Sequence, residues 1–254
     1  MTDVLVAVLI GLISGILSGL FGVGGGIVMT PGIQVLLGTA PIVALATPLP
    51  VILPTAIAGA LTYRRAGEID ERAALWMSVP GIAAAAVGAA LTDVIDTHLL
   101  LVVTALLLAY QAFGILRGRR ASEPKPQRAA TAWTYVGIGL AAGFVSGLLG
   151  IGGGLLMVPL LAGWLGMPLK RALGTSLLAI VVLVIPGTIV HTALGHIDWP
   201  IFAAVTLGAV PGALIGARIA LGTQERTLRL AVGSFLLIVA VAYGVSEAFE
   251  LLRS

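Results

Sequence analysis

The sequence predicts an all-α, polytopic membrane protein made of two inverted copies of one unit, and three observations predict it. Hydrophobic residues make up 59% of the 254 and charged residues only 10%, against about 25% charged in an ordinary soluble domain. Apolar segments of about 20 residues recur along the chain, the length a helix needs to cross hydrocarbon and about twice that of a barrel strand. Lastly, "SGLFGVGGGIVMTP", Ser18 to Pro31, returns 128 residues later as "SGLLGIGGGLLMVP", Ser146 to Pro159.

The repeat extends beyond the glycines. At the same displacement Thr47 meets Thr175, Tyr63 meets His191, Gly67 meets Gly195, Ile69 and Asp70 meet Ile197 and Asp198, and Gly88 meets Gly216. Self-similarity at one fixed offset is the signature of a duplicated unit. The joint falls in the polar run "RGRRASEPKPQRAATA". The expected organisation is a first transmembrane repeat over 1–116, a cytoplasmic linker over 117–132 and a second repeat over 133–254.

Five apolar segments are expected in each half: 4–20, 27–37, 43–63, 73–91 and 98–116, then 133–149, 155–165, 172–194, 199–221 and 227–250. The first of all follows "MTD", which lacks the basic flank and small-residue cleavage site of a signal peptide, so it is expected to stay. Each first segment stops at its glycine run, because glycine costs about 1 kcal/mol inside a helix and proline about 3. Each second segment covers only about 16 Å, half of a ~30 Å hydrocarbon core, and reads as a half-helix. Pro48, Pro50, Pro54 and Pro186 are expected to kink the third segments. Asp70 and Asp198 stand where they can cap the fourth. Each repeat is thus a glycine-rich broken or re-entrant helix pair plus about three spanning helices.

Charge sets the orientation. If each segment changes side, or if each first pair is a re-entrant hairpin, the loops 64–72, 117–132, 166–172 and 221–229 share one face. With Arg218 they hold thirteen of the fourteen Lys and Arg, which makes that face cytoplasmic. Equivalent points are then separated by an odd number of crossings, so the halves run in opposite directions. Inverted repeats with helices broken at matching positions are a transporter architecture. The basic excess is explained by orientation rather than by nucleic acid.

The breaks carry the chemistry. Gly22 and Gly24 to Gly26 precede one half-helix; Gly150 and Gly152 to Gly154 precede the other. Irregular backbone at membrane depth is tolerated only where protein or water satisfies it. A half-helix there offers unpaired N–H groups and a positive dipole end, a place for an anion. All eleven Asp and Glu and all fourteen Lys and Arg lie in loops, at termini or near segment ends, so backbone N–H groups and hydroxyls must hold such a ligand. Candidate hydroxyls are Thr47, Thr175 and Ser176, with Ser18, Ser146 and Thr30 close by. Pro31 and Pro159 mark the structural break. The plain alternatives are close glycine packing and hydroxyls bonded to carbonyls of their own helices. His191 is a candidate for carrying a coupling proton, or else an interfacial histidine bonded to a carbonyl. Cysteine is absent, which removes thiolate metal sites and iron–sulfur clusters, and no cofactor or metal is expected.

The paired "GLFGVGGGIVMTP" and "GLLGIGGGLLMVP", with "RALGTSL" (171–177) and "HTALGHIDW" (191–199), resemble the TauE/SafE family of membrane permeases, also called the sulfite exporter or toluene-sulfonate uptake family. The resemblance covers nearly the whole chain. It implies two pseudo-symmetric halves in the bacterial inner membrane and a small sulfur-containing anion as substrate. In "ALATPL" (44–49) the first half keeps the threonine but has proline in place of the serine. The expected function is a secondary transporter, an exporter of sulfite or a related anion working by alternating access. A permease for sulfoacetate, thiosulfate or a carboxylate, and a passive channel, are the neighbouring readings. An intramembrane enzyme using Ser18 or Ser146 with His191 is disfavoured by the absence of a G-x-S-G order. The expected partners are the anion, the lipid bilayer and a coupling proton or ion.

Overall fold

The structure, a computed structural model, describes residues 2–91, 106, 109–110, 112–113, 131–149 and 152–251. The expected segment 98–116, apart from those isolated positions, the linker as far as 130, and Gly150 lie outside the described residues. All regular structure among the described residues is helical. In the first half α1 is Thr2–Phe21, α2 Gly26–Leu36, α3 Pro41–Ala46, α4 Pro48–Arg65 and α5 Glu71–Leu91. In the second half α6 is Ala132–Leu149, α7 Gly154–Pro159, α8 Leu169–Ala193, α9 Trp199–Gly222 and α10 Glu225–Leu251. Five stretches, Thr2–Phe21, Pro41–Arg65, Glu71–Leu91, Leu169–Ala193 and Trp199–Gly222, are long and apolar enough to cross a membrane.

Local chemistry explains the boundaries. Gly25 (φ +83°) and Gly153 (φ +70°) are the residues before α2 and α7, in a left-handed conformation that a side chain would strain. Asp70 Oδ1 accepts the Ala73 N–H at 2.9 Å and Asp198 Oδ1 the Ile201 N–H at 2.9 Å, so both aspartates cap the helices that follow them. The third segments differ. In the second half α8 is continuous through Ser176 and Pro186. In the first half the chain divides at Thr47, because Pro48 has no N–H to continue the ladder. A second difference follows Pro159, where Leu160–Trp164 forms a π turn. Pro31, at the equivalent place, is absorbed within α2.

The halves pack by exchange. A Cβ on Gly11, Gly15 or Gly19 of α1 would fall on the carbonyl oxygens of Val205, Ala209 and Ala213 in α9. On Gly139, Gly143 or Gly147 of α6 it would fall on those of Met77, Gly81 and Ala85 in α5. Adding 128 to one set and subtracting it from the other converts the first three contacts into the second three. In both pairs the numbers rise together, so the partners are parallel, and small residues let their backbones touch. Between α4 and α8, by contrast, Gly59 faces Leu177 and Leu49 faces Gly187. These two helices, equivalent in sequence, run antiparallel through the centre of the bundle.

Loop contacts define the two ends. Lys170 Nζ donates to the Leu221 carbonyl at 2.6 Å, the Leu169 N–H to Glu225 Oε1 at 3.4 Å, and the Asp70 N–H to Thr175 Oγ1 at 2.9 Å. The basic loops 64–72, 166–172 and 221–229 are therefore gathered at one end. At the other end the Asp198 N–H donates to Thr47 Oγ1 at 3.1 Å.

Candidate functional site

The two glycine turns meet inside the bundle. A Cβ on Gly154 would fall on the Gly22 carbonyl oxygen and within 2.9 Å of Val23 Cα, so the turns from the two halves are in van der Waals contact. Gly19, just before the first turn, packs on Ala213, about 21 Å along α9 from its start and about 14 Å from its end. That depth is near the middle of the helix layer. Ile52 and Ile180, themselves equivalent, both lie within 3.6 Å of the Cβ position of Gly152 and wall it with apolar surface.

Positive φ at Gly22 (+67°), Gly24 (+85°) and Gly25 (+83°) turns the first chain back on itself, and Gly152 (+90°) and Gly153 (+70°) do so in the second. The turn residues Gly22 to Ile27 are all buried. Once α2 is under way, the Val28 and Met29 N–H groups donate to the Gly25 carbonyl at 3.2 and 3.1 Å. Among the described residues, the N–H groups of Gly24, Gly25, Gly26 and Ile27 meet no acceptor. In the second turn the Gly154 N–H donates to the Gly152 carbonyl at 2.9 Å.

Hydroxyls separate into two groups. Thr55, Thr62, Ser78, Thr188 and Thr192 each donate to the carbonyl four residues earlier in their own helices, and Thr223, just past α9, does the same to Ile219, as such residues ordinarily do. The hydroxyls of Ser14, Ser18 and Ser146, 0%, 0% and 1% exposed, have no partner among the described residues. They stand against the turns: Ser18 Cβ is 3.3 Å from the Cβ position of Gly25, and Ser146 Cβ is 3.2 Å from that of Gly153. The Ser14 carbonyl oxygen lies 3.1 Å from the same Gly25 position. Burying a hydroxyl unpaired costs about 1–3 kcal/mol. Sequence reasoning named Ser18 and Ser146 only as neighbours and missed Ser14, whose counterpart is Ala142. The repeat offset alone cannot find it; its spacing four residues before Ser18, on one helix face, was the available signal.

The other expected hydroxyls serve the frame. Ser176 Oγ lies 2.7 Å from the Gly22 carbonyl and 3.0 Å from that of Leu173, and can donate to either. Thr47 and Thr175 accept the N–H groups of Asp198 and Asp70 across the two halves, each keeping its own proton to donate. Thr30 Oγ1, on α2, is buried without a partner among the described residues. His191 is placed elsewhere, near the end of α8, with its Nδ1 3.2 Å from that of His196. Among the described residues no group of His, Asp and Glu could hold a metal ion.

A bundle of apolar spanning helices, with two interrupted helices meeting at mid-depth and buried donors around the break, defines a helical membrane transporter. The chain belongs to the sulfite exporter TauE/SafE family, whose model matches residues 7–243. It is 29% identical to the probable membrane transporter protein YunE of Bacillus subtilis, over 92% of this chain and 94% of that protein. Identity to a probable membrane transporter protein of Xylella fastidiosa is 30%, over 88% and 87% of the two chains. To the Bacillus subtilis probable membrane transporter protein YdhB it is 33%, over 86% and 89%.

Proposed function

We propose that this transporter is a secondary carrier of sulfite or a related small sulfur-containing anion, exporting it across the bacterial inner membrane by alternating access of two inverted repeats. The observation that carries the reading is the pair of glycine turns in contact at mid-depth, flanked by buried hydroxyls without a partner among the described residues. Donors without competing acceptors suit an anion. An anion leaving water must exchange several hydrogen bonds at once, and converging N–H and O–H groups supply them without a buried cation.

In this reading the ligand shell is drawn from Gly22, Gly24 to Gly26, Gly150 and Gly152 to Gly154, with Ser14, Ser18 and Ser146 as neutral donors. Thr47, Thr175 and Ser176 complete the shell or hold it in place through the bonds they make. Pro159 ends α7 where the π turn begins, whereas Pro31 is carried inside α2. The antiparallel packing of α4 on α8 and the contacts that repeat at 128 residues support an inverted duplication. The gathering of basic loops at one end supports a cytoplasmic assignment for that end, and for the linker 117–132 with it. Rocking of one half against the other would open the centre to each side in turn.

Uptake of labelled sulfite into proteoliposomes, with sulfate, thiosulfate, sulfoacetate and acetate as competitors, tests the reading. Saturable flux with counter-transport is expected. Flux that never saturates would make the protein a channel, and absence of flux or competition for every sulfur anion would remove the substrate.

A further inference from the structure

The end of the bundle opposite the basic loops carries a histidine pair that the glycine turns do not explain. His191 is 2% exposed, its Nδ1 is 3.2 Å from Nδ1 of His196, and the rings are 5.4 Å apart and tilted by 47°. A hydrogen bond between two imidazole nitrogens needs a proton on one and none on the other. The pair holds while neutral, and also with a single positive charge. It cannot hold when both rings are imidazolium, since two N–H groups and two like charges would then face each other.

The equivalent residues in the first half are Tyr63 and Glu68. The backbone there is the same: the Glu68 N–H donates to the Tyr63 carbonyl at 3.0 Å, and the His196 N–H to the His191 carbonyl at 3.0 Å. The side chains differ. Tyr63 donates its hydroxyl to the Gly19 carbonyl at 3.0 Å. Tyrosine and glutamate ordinarily titrate near about 10 and about 4.3, whereas imidazole titrates near about 6.5. Among the described residues, imidazoles stand at only one end of this duplicated scaffold.

We propose that His191 and His196 form a proton-binding site that ties opening of the outer end to the pH outside, while the inner end, with Tyr63 and Glu68, lacks that dependence. The proposal rests on the transporter reading and its orientation. The loop 194–198 is fastened twice, by the His196 ring to α8 and by the Asp198 N–H to Thr47 Oγ1 at 3.1 Å. Thr47 is the break between α3 and α4, so releasing the first fastening loosens the loop against a ready hinge. Among the described residues, the other ionisable groups at this end are the Asp198 carboxylate, which caps α9, Asp3 at the start of α1, and Glu247 and Glu250 in the last turns of α10. Residues 41–62, 79–91, 139–149 and 199–217, from the helices packed around α8, contain none.

Amide hydrogen exchange of the protein in lipid nanodiscs tests this, with protection corrected for the intrinsic pH dependence of exchange. Between about pH 8 and about pH 5.5, across the imidazole range, protection over 195–198 is expected to fall about fivefold, the worth of one hydrogen bond. Protection over 67–70 should stay level. His196→Asn, an uncharged acceptor for His191, should keep the loop protected at both values, and His196→Ala should lose protection at both. A wild-type loop indifferent to pH, an unaltered pH response in His196→Ala, or an equal fall over 67–70 would each overturn the proposal. The readout needs no substrate, so a failure to move sulfite would strike the transport reading and leave this one standing.

Discussion

Thr175 Oγ1 accepts the Asp70 N–H at 2.9 Å, and this bond ties the loop before α5 to a helix of the other half. Thr47 makes the equivalent bond to the Asp198 N–H at the opposite end, at 3.1 Å. Valine at either threonine keeps the shape and removes the acceptor. Each substitution is expected to cost about 1–3 kcal/mol, because a part-buried N–H loses its partner. Thermal unfolding in detergent should show a lowered midpoint for Thr175→Val and Thr47→Val and a value near wild type for the serine variants. A valine variant as stable as wild type would mean that water replaces the bond.

Ser18 and Ser146 should behave in the opposite way. Their hydroxyls are buried without partners among the described residues, so alanine removes a group that stabilises nothing in the empty protein. Midpoints of Ser18→Ala and Ser146→Ala are expected to equal or exceed that of wild type. The transport KM is expected to rise about tenfold, as for one lost ligand hydrogen bond of about 1.4 kcal/mol. Ser78→Ala is the control, since Ser78 Oγ donates to the Ala74 carbonyl at 2.7 Å. It should leave KM alone, and an equal effect from all three would deny the turn serines a special part.

A third expectation concerns the turn itself. Gly25 has φ +83°, and its Cβ position lies 3.1 Å from both Met29 Cε and the Ser14 carbonyl oxygen. Valine there adds left-handed backbone strain of about 1–2 kcal/mol and fills the space beside Ser18. Gly25→Val is expected to abolish flux while the purified protein remains folded by circular dichroism and size-exclusion chromatography. Gly137, whose Cβ would meet nothing within 4 Å, is the matched position where alanine should be silent. Full flux from Gly25→Val would reduce the turn to a packing device.

Much of this was legible in the sequence because it depends on covalent spacing. The glycine runs, the aspartate caps and the short helices follow from residue type and from the 128-residue offset, and most of the described helices begin and end within a few residues of their expected places; α7 is an exception, ending at Pro159 where a π turn takes over. The division of the third segment at Thr47 was less legible. Four prolines had marked the third segments, and which of them interrupts a helix depends on what its neighbours offer the broken ladder. Pro54 is carried inside α4 and Pro186 inside α8, while Pro48 stands at the break. The Asp198, Asp70 and Gly22 partners of Thr47, Thr175 and Ser176 were beyond reach, since each is more than a hundred residues away. Ser14 was missed for a different reason: its counterpart is Ala142, so the repeat does not mark it, and a serine in a helix ordinarily bonds its own backbone.

The exchange packing yields the last expectation. Gly15 packs on Ala209, and Gly143 packs on Gly81 at the equivalent place. In each case a Cβ would fall on the facing carbonyl, and a backbone cannot yield as a side-chain tip does. Moving the helices apart sacrifices the close contacts that hold membrane helices together where no hydrophobic effect assists. Alanine at either glycine is expected to destabilise by about 1–3 kcal/mol, the ordinary cost of overpacking, and the two variants should do so about equally. Parallel losses from Gly15→Ala and Gly143→Ala, read as denaturation midpoints in mild detergent, fit two equivalent interfaces. If Gly143→Ala were tolerated while Gly15→Ala unfolded the protein, α6 and α5 would not be joined as α1 and α9 are, and the duplication would end at the sequence.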